Sequence, residues 1–173
     1  VSGGVSREIE TLGVGALRLV GSASILVGLI ATFQVAYQLK QYGAESVSAL
    51  AIGWFGTREV GPLVVALLAG TRSASAIAGE FAAMTSSGEI DALRAMSLDP
   101  VKYLVAPKLA ALCIALPALT IIADGLITLG GWLGTTIFLG FNSRYYLEQI
   151  RTSLSTSDLA IGVAKSFFFA FVI

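Results

Sequence analysis

Histidine is absent from this 173-residue chain, and cysteine occurs once, as Cys113 in an apolar run. These shortages exclude the common metal sites, a Cys/His nucleophilic pair and an intrachain disulfide. Charge is scarce as well: Asp, Glu, Lys and Arg make up 13% of residues, with 11 basic side chains against 11 acidic ones and a net charge of zero. No basic tract exists, so nothing points to nucleic acid as a partner. There is no G-x-x-x-x-G-K-[ST] phosphate loop, so if ATP drives this protein the ATPase is another chain. No cofactor and no metal are expected on this one.

What the chain has in abundance is apolar surface. Hydrophobic residues make up 55% of it and the mean hydropathy is +0.83, well outside soluble composition. The expected solvent is lipid. Residues 19–39 form an uncharged run of about 21 residues, enough for one helical crossing. Gln34, Tyr37, Gln38 and Gln41 fall on one side of its end, a pattern that suits an interfacial collar or a cavity lining. Residues 42–57 read as a connection with a membrane-skimming middle, and a second span is expected over about residues 59–84. Its second half carries small residues every four positions, Gly70, Ala74, Ala78 and Ala82, which lets helices approach closely in lipid. Gly70 and Ala74 are therefore expected to face a neighbouring helix. Arg72 and Glu80 lie on the same helix. A charge at the depth of Arg72 should be paired, with Glu80 or Asp124 as candidate partners, in either a structural ion pair or a transport role.

Between two long apolar stretches, residues 86–99 stand out as short and amphipathic. Ser86 and Glu89 have the spacing of a capping box. Ile90, Leu93 and Met96 share one face, with Glu89, Asp91 and Arg94 around it. Asp99-Pro100 closes the segment and starts the next helix, with Asp99 as N-cap. The segment reads as a docking helix at the membrane surface, or else as a plain connector. Residues 100–141 are too long for one straight span, and Pro107 and Pro117 are expected to kink them. Residues 142–158 are the most polar stretch and are expected to form a short exposed helix on the opposite face, with Tyr145 and Tyr146 as interface anchors. From Leu159 to Ile173 the chain covers only about 22 Å, less than the roughly 30 Å hydrocarbon core, which predicts that it stops inside a span. No cleavable signal peptide is seen. Arg94, Lys102 and Lys108 on one face balance Lys40, Arg144 and Arg151 on the other, so charge bias does not orient the protein.

The run from Thr57 to Leu109 closely resembles the MlaE/YrbE family, the membrane permeases of ABC transporters that work with MCE-domain proteins on lipid traffic. The matching pieces are Arg58-Glu59-x-Gly61-Pro62, Ala69-Gly70-x-Arg72, Ala78-x-Glu80, Met84, Glu89-Ile90-x-Ala92-Leu93-x-x-Met96, Asp99-Pro100 and Pro107. Looser similarity reaches back to Gln34 and Tyr42-x-Ala44-Glu45, and forward through Gly130-Gly131 to Lys165-Ser166. The resemblance implies an all-α polytopic helix bundle over residues 1–173, one permease domain with about four of an expected five spans. It implies a homodimer, an ATPase gripped by a cytoplasmic coupling helix (Glu89, Ile90, Asp91, Leu93, Met96, Asp99) and an MCE ring on the other side. ATP and magnesium would sit on the partner ATPase. Arg58 and Glu59, with Gln34, Gln38 and Tyr42 at the end of the first span, would line a lipid cavity. The setting implied is the bacterial inner membrane, or alternatively the plastid inner envelope. Two departures from the family pattern are Ser97, where a glycine usually follows Met96, and the missing terminal segments. The competing reading from the residues alone is a secondary transporter with Arg72, Glu80 and Asp124 as an ion relay. A membrane-embedded enzyme has little support without His or a clustered nucleophile.

Overall fold

The computed structural model describes residues 2–43, 48–153 and 155–173, which are mostly helical with no strand among them. Among the described residues eight α-helices follow one another: α1 (Ser2–Glu8), α2 (Gly15–Lys40), α3 (Ser48–Phe55), α4 (Gly61–Ser86), α5 (Glu89–Ala95), α6 (Pro100–Leu133), α7 (Ser143–Ser153) and α8 (Thr156–Val172). Wider π-helical turns at Ile9–Val14, Gly56–Val60 and Gly134–Phe138 join or extend them. Among the described residues three continuous helices are long and apolar enough to cross a membrane: Val5–Lys40, Leu50–Ser86 and Pro100–Ile137. α7 and α8 together make a fourth candidate.

Several boundaries differ from the sequence expectation. The first span starts well before residue 19, because nothing between Val5 and Leu19 breaks the helix. Residues 48–57 are not a connection but the first turns of the second span. Their glycines suggested a loop, yet Gly56 is buried and a Cβ there would press on Ile127 at 3.1 Å. Ala44 and Glu45 lie outside the described residues. α6 runs through both Pro107 and Pro117 without ending, as transmembrane helices can when neighbouring groups satisfy the freed carbonyls.

The core joins α2, α4, α6 and α8 through Ala16, Val20, Val65, Ala69, Leu112, Leu116, Leu119, Ala123 and Ala170. Its closest seam lies between α2 and α6. A Cβ on Gly28 would overlap the Ile127 carbonyl, and one on Gly130 would overlap the Ile25 carbonyl, so the two backbones touch at reciprocal glycines. Thr32 lies in the same seam, its hydroxyl donating to Gly28 O at 2.9 Å within α2 and reaching Gly131 O of α6 at 3.4 Å. In lipid, where apolar surface gains nothing from leaving its solvent, such close packing carries association.

Gly70 of α4 packs against Ile173, which caps the end of α8, as expected. Ala74 does not face a neighbour; it is exposed, and the buried face of α4 is Val65, Ala69 and Ser73. The small-residue pattern was in phase with the contact only at its first position. α7 packs against α3, and Tyr146 is 1% exposed rather than an interface anchor. Its hydroxyl donates to Thr128 O at 2.9 Å, and Ile150 and Trp132 complete the cluster. Tyr145 remains on the surface side.

The docking segment forms as a helix, but its start is built differently from expectation. The Ser86 hydroxyl donates back to the Ala82 and Ala83 carbonyls, finishing α4, and Gly88 at φ 75° turns the chain into α5. No Ser86–Glu89 capping box forms. Its end is a left-handed cap. Ser97 sits at φ 60°, Leu98 N–H donates to Leu93 O at 3.0 Å and Ser97 N–H to Arg94 O at 2.9 Å, the paired bonds of a Schellman motif. Asp99 then caps α6 as expected, accepting from Val101 N–H at 3.0 Å. A side chain in the left-handed region costs roughly 1–2 kcal/mol, and glycine's extra unfolded-state freedom offsets roughly 0.5–1 kcal/mol of that. Ser97→Gly is therefore expected to raise the melting temperature modestly, and a lower melting temperature than wild type would contradict the strained cap.

Candidate functional site

The π-helical turn Gly56–Val60 places two adjacent charges, Arg58 and Glu59, against one face of α8. On that face Asp158, Gly162 and Lys165 follow at four- and three-residue steps, one above another on the helix. Arg58 Nη1 lies 3.7 Å from Asp158 Oδ1, and Lys165 Nζ lies 2.6 Å from Glu59 Oε2. Arg58 Nε is 4.0 Å from Glu59 Oε1, and the guanidinium sits 5.2 Å from the centre of the Trp54 ring. The result is an alternating chain of charges, Asp158–Arg58–Glu59–Lys165, with no net charge.

Local backbone chemistry explains why α8 docks here. In the π register Gly61 N–H bonds to Gly56 O, one residue further back than in an α-helix. Pro62 has no N–H at all. The Arg58 carbonyl, left without its ordinary donor, accepts from Lys165 Nζ at 3.2 Å. Asp158 is itself fixed by a capping box at the start of α8, its carboxylate accepting from Ser155 N–H at 3.2 Å.

Beside this chain of charges lies a groove of about 640 Å³, lined by Glu59 and Lys165 at one side and by Phe55, Pro62, Leu63, Phe168 and Phe169. One polar edge on an otherwise apolar space is the arrangement an amphiphile requires. Gln34, Gln38 and Tyr42 are exposed at the far end of α2 and do not line this groove.

The three intramembrane charges singled out in the sequence are not brought together. Arg72 pairs with neither Glu80 nor Asp124; its Nη1 donates to Thr11 O at 3.0 Å. That carbonyl is free because Gly15 N–H reaches back to Glu10 O in another π register. Glu80 instead binds Lys108 Nζ at 2.6 Å, and Lys108 also holds Glu8 at 2.9 Å. Asp124 is buried apart from both.

At the docking end, α5 has no buried residue. Asp91 and Arg94 pair at 3.4 Å on its surface. Ile90 lies in a shallow groove of about 200 Å³ with Phe81, Arg94, Pro100, Val101, Leu104 and Val105. Met96 is 62% exposed, and Leu98, Val101 and Tyr103 are exposed near it, so apolar surface faces outward at this end.

Sequence reasoning missed Lys165, Asp158 and Lys108 as site or core charges. Signals existed for two of them. Lys165 is a lone cation in the apolar stretch 159–173, which the cost of intramembrane charge already marks as special. Ser155-x-x-Asp158 is a capping-box pattern. Lys108 was read only as part of the charge bias, and its partners come from helices far away in sequence.

The permease MlaE family model matches residues 5–173. A probable ABC transporter permease protein of Rickettsia typhi is 32% identical over 169 residues, covering 98% of this chain and 65% of that protein. A probable ABC transporter permease protein of Pyropia yezoensis is 30% identical over 172 residues, covering 96% of this chain and 64% of the relative. The intermembrane phospholipid transport system permease protein MlaE of Haemophilus influenzae is 29% identical over 168 residues, with 95% and 63% covered. The chain thus spans just under two thirds of the length of these relatives. With an all-helical fold carrying membrane-length apolar helices and a family match across almost its whole length, this integral membrane chain belongs to the MlaE permease family.

Proposed function

We propose that this chain is the membrane subunit of an ABC transporter that moves phospholipid, or a lipid of similar build, between membranes. The observation that carries this reading is the groove beside Glu59 and Lys165. A charged head would meet Lys165 at the groove's edge, with Arg58 beside it in the same chain of charges, while Phe55, Leu63, Phe168 and Phe169 would face acyl chains. Arg58 suits a phosphate through charge-assisted hydrogen bonds. Glu59 and Asp158 pair with the two cations, so a phosphate reaching them replaces an ion pair instead of meeting bare charge.

Energy would come from a separate ATPase docked on α5, where Met96 and its exposed apolar neighbours offer the contact. Movement of α5 would pass into α4 and α6, which it joins, and bias two arrangements of the bundle. A second copy of this chain and an MCE ring would complete the assembly, in a bacterial cytoplasmic membrane or, as the algal relative suggests, a plastid membrane.

The test is photocrosslinking with a probe at Leu63, Phe168 or Lys165 in membranes holding a labelled phospholipid. Labelling there, and its loss on Lys165→Glu, is the expected result; labelling only at Leu26 and Ile30, exposed controls on α2, would overturn the assignment. Coupling is tested by Met96→Asp. Placing an unpaired carboxylate in an apolar contact costs several kcal/mol, roughly 3–5 where the contact is fully buried. ATPase association should fall with the membrane fold intact, and unchanged association together with unchanged transport would remove α5 from the coupling role.

A further inference from the structure

Asp124 is the one acidic side chain of α6, and at 3% exposure it is as buried as the aliphatic core. Neither carboxylate oxygen has a hydrogen-bond donor. Two glycines make room for it: a Cβ on Gly61 would overlap Oδ1, and one on Gly162 would lie 3.9 Å from Oδ2. The same position on Gly162 is 2.8 Å from the Thr57 carbonyl, so that oxygen and the carboxyl border a common space.

The Thr57 carbonyl is itself short of a donor. In the π register its helical partner is residue 62, a proline without an N–H, and Gly61 N–H is already bonded to Gly56 O. An orphaned acceptor and a carboxyl without donors thus lie together in the membrane interior. Ionised, the carboxyl would be a buried charge without a partner, which is costly at this depth. As a neutral acid it has one O–H to give, and Thr57 O needs one.

The neighbouring charges do not alter this balance. From the π-helical turn, Arg58 and Glu59 are engaged with Asp158 and Lys165 of α8, as described above. α2 contributes no charge between Arg18 and Lys40, and the other charges of α4 and α6 are Arg72, Glu80, Lys102 and Lys108. Of these, Arg72 is bound to Thr11 O, and Glu80 and Lys108 are bound to one another. Thr57's own hydroxyl already donates to Gly53 O at 2.9 Å.

We propose that Asp124 is a proton-binding site: it remains a neutral acid at neutral pH and donates to the Thr57 carbonyl, holding the turn that presents Arg58 and Glu59 against α8. The proton's release to water would leave a negative charge facing the Thr57 carbonyl oxygen and loosen that turn. Proton occupancy and the shape of the charged groove are therefore linked.

Infrared difference spectroscopy on the full-length permease in lipid nanodiscs, wild type against Asp124→Asn, reads the protonation state directly. The expected result is a protonated-carboxyl C=O band at neutral pH, absent from Asp124→Asn and unchanged when sodium is exchanged for choline. A carboxylate signal alone at neutral pH overturns the proposal. So does a carboxyl band that appears only after sodium removal, which would identify a cation site instead. The hydrogen bond has its own readout in amide exchange of residues 56–61. Asp124→Asn, whose amide can donate to Thr57 O, should exchange as wild type, whereas Asp124→Leu should exchange about tenfold faster, as expected for one lost buried hydrogen bond. Equal rates in both variants overturn it. The infrared result reads the carboxyl itself and needs neither transport nor an ATPase, so it stands or falls apart from the transport reading.

Discussion

Gly130→Leu is expected to abolish folding into the native bundle, and Gly130→Ala to lower stability by at least about 1–3 kcal/mol, the usual cost of overpacking. The obstruction is backbone: a Cβ on Gly130 would run into the Ile25 carbonyl and stand 3.1 Å from Leu29 N. A flexible side chain could swing aside, whereas moving Ile25 means separating α2 from α6 along the tightest seam of the bundle. Helix propensity works in the opposite direction, favouring alanine over glycine by about 1 kcal/mol, so the sign of the result decides between them. Gly125 provides the control on the same helix. A Cβ there meets nothing within 4 Å, and Gly125→Ala should be neutral or mildly stabilising. Thermal unfolding in detergent checks both, and equal stability of the two alanine variants would show that the seam is not close-packed.

That seam also shows what was legible in advance. Gly130-Gly131 was visible as an unusual pair, but its use was not, because a glycine that loosens a helix in water and one that admits a neighbouring backbone in lipid look the same in sequence. Gly56, a helical glycine packed against the Ile127 side chain, suggested a loop, and a helical start to the second span was taken as a connection. Features set by consecutive residues were readable: the Asp99 cap, the Pro100 start, the adjacent Arg58 and Glu59. Features set by register were not. The π-helical turn at Ile9–Val14 shifts the hydrogen bonds by one residue and frees the Thr11 carbonyl that receives Arg72, and at the Gly56–Val60 turn the missing N–H of Pro62 frees the Arg58 carbonyl that receives Lys165. The expectation that Arg72 must find an acid was therefore reasonable physics applied to an incomplete set of partners. Burial of Asp124 was foreseeable as a cost, but its glycine-lined setting depends on α4 and α8 meeting.

Lys108 leads to the second large effect, since it is 3% exposed and binds Glu8 from α1 and Glu80 from α4 at once. Three helical elements are thereby joined through one ammonium. Lys108→Met removes the cation and leaves two carboxylates facing the vacated space. Breaking a buried pair from one side costs about 3–5 kcal/mol, because the remaining charge is stranded. Glu80 is half exposed and can turn toward water, which brings the expected loss to the lower end of that range; Glu8 is only 22% exposed and has less freedom. Adding Glu8→Gln and Glu80→Gln to Lys108→Met removes the stranded charges and should recover most of the stability, since replacing a whole buried ionic cluster with neutral groups is often close to neutral. Comparison of melting temperatures for the single and triple variants separates charge from packing. If the triple variant is as unstable as the single one, the lysine stem's packing, not its ammonium, is what holds α1, α4 and α6 together; if the single variant matches wild type, the ionic tie contributes nothing.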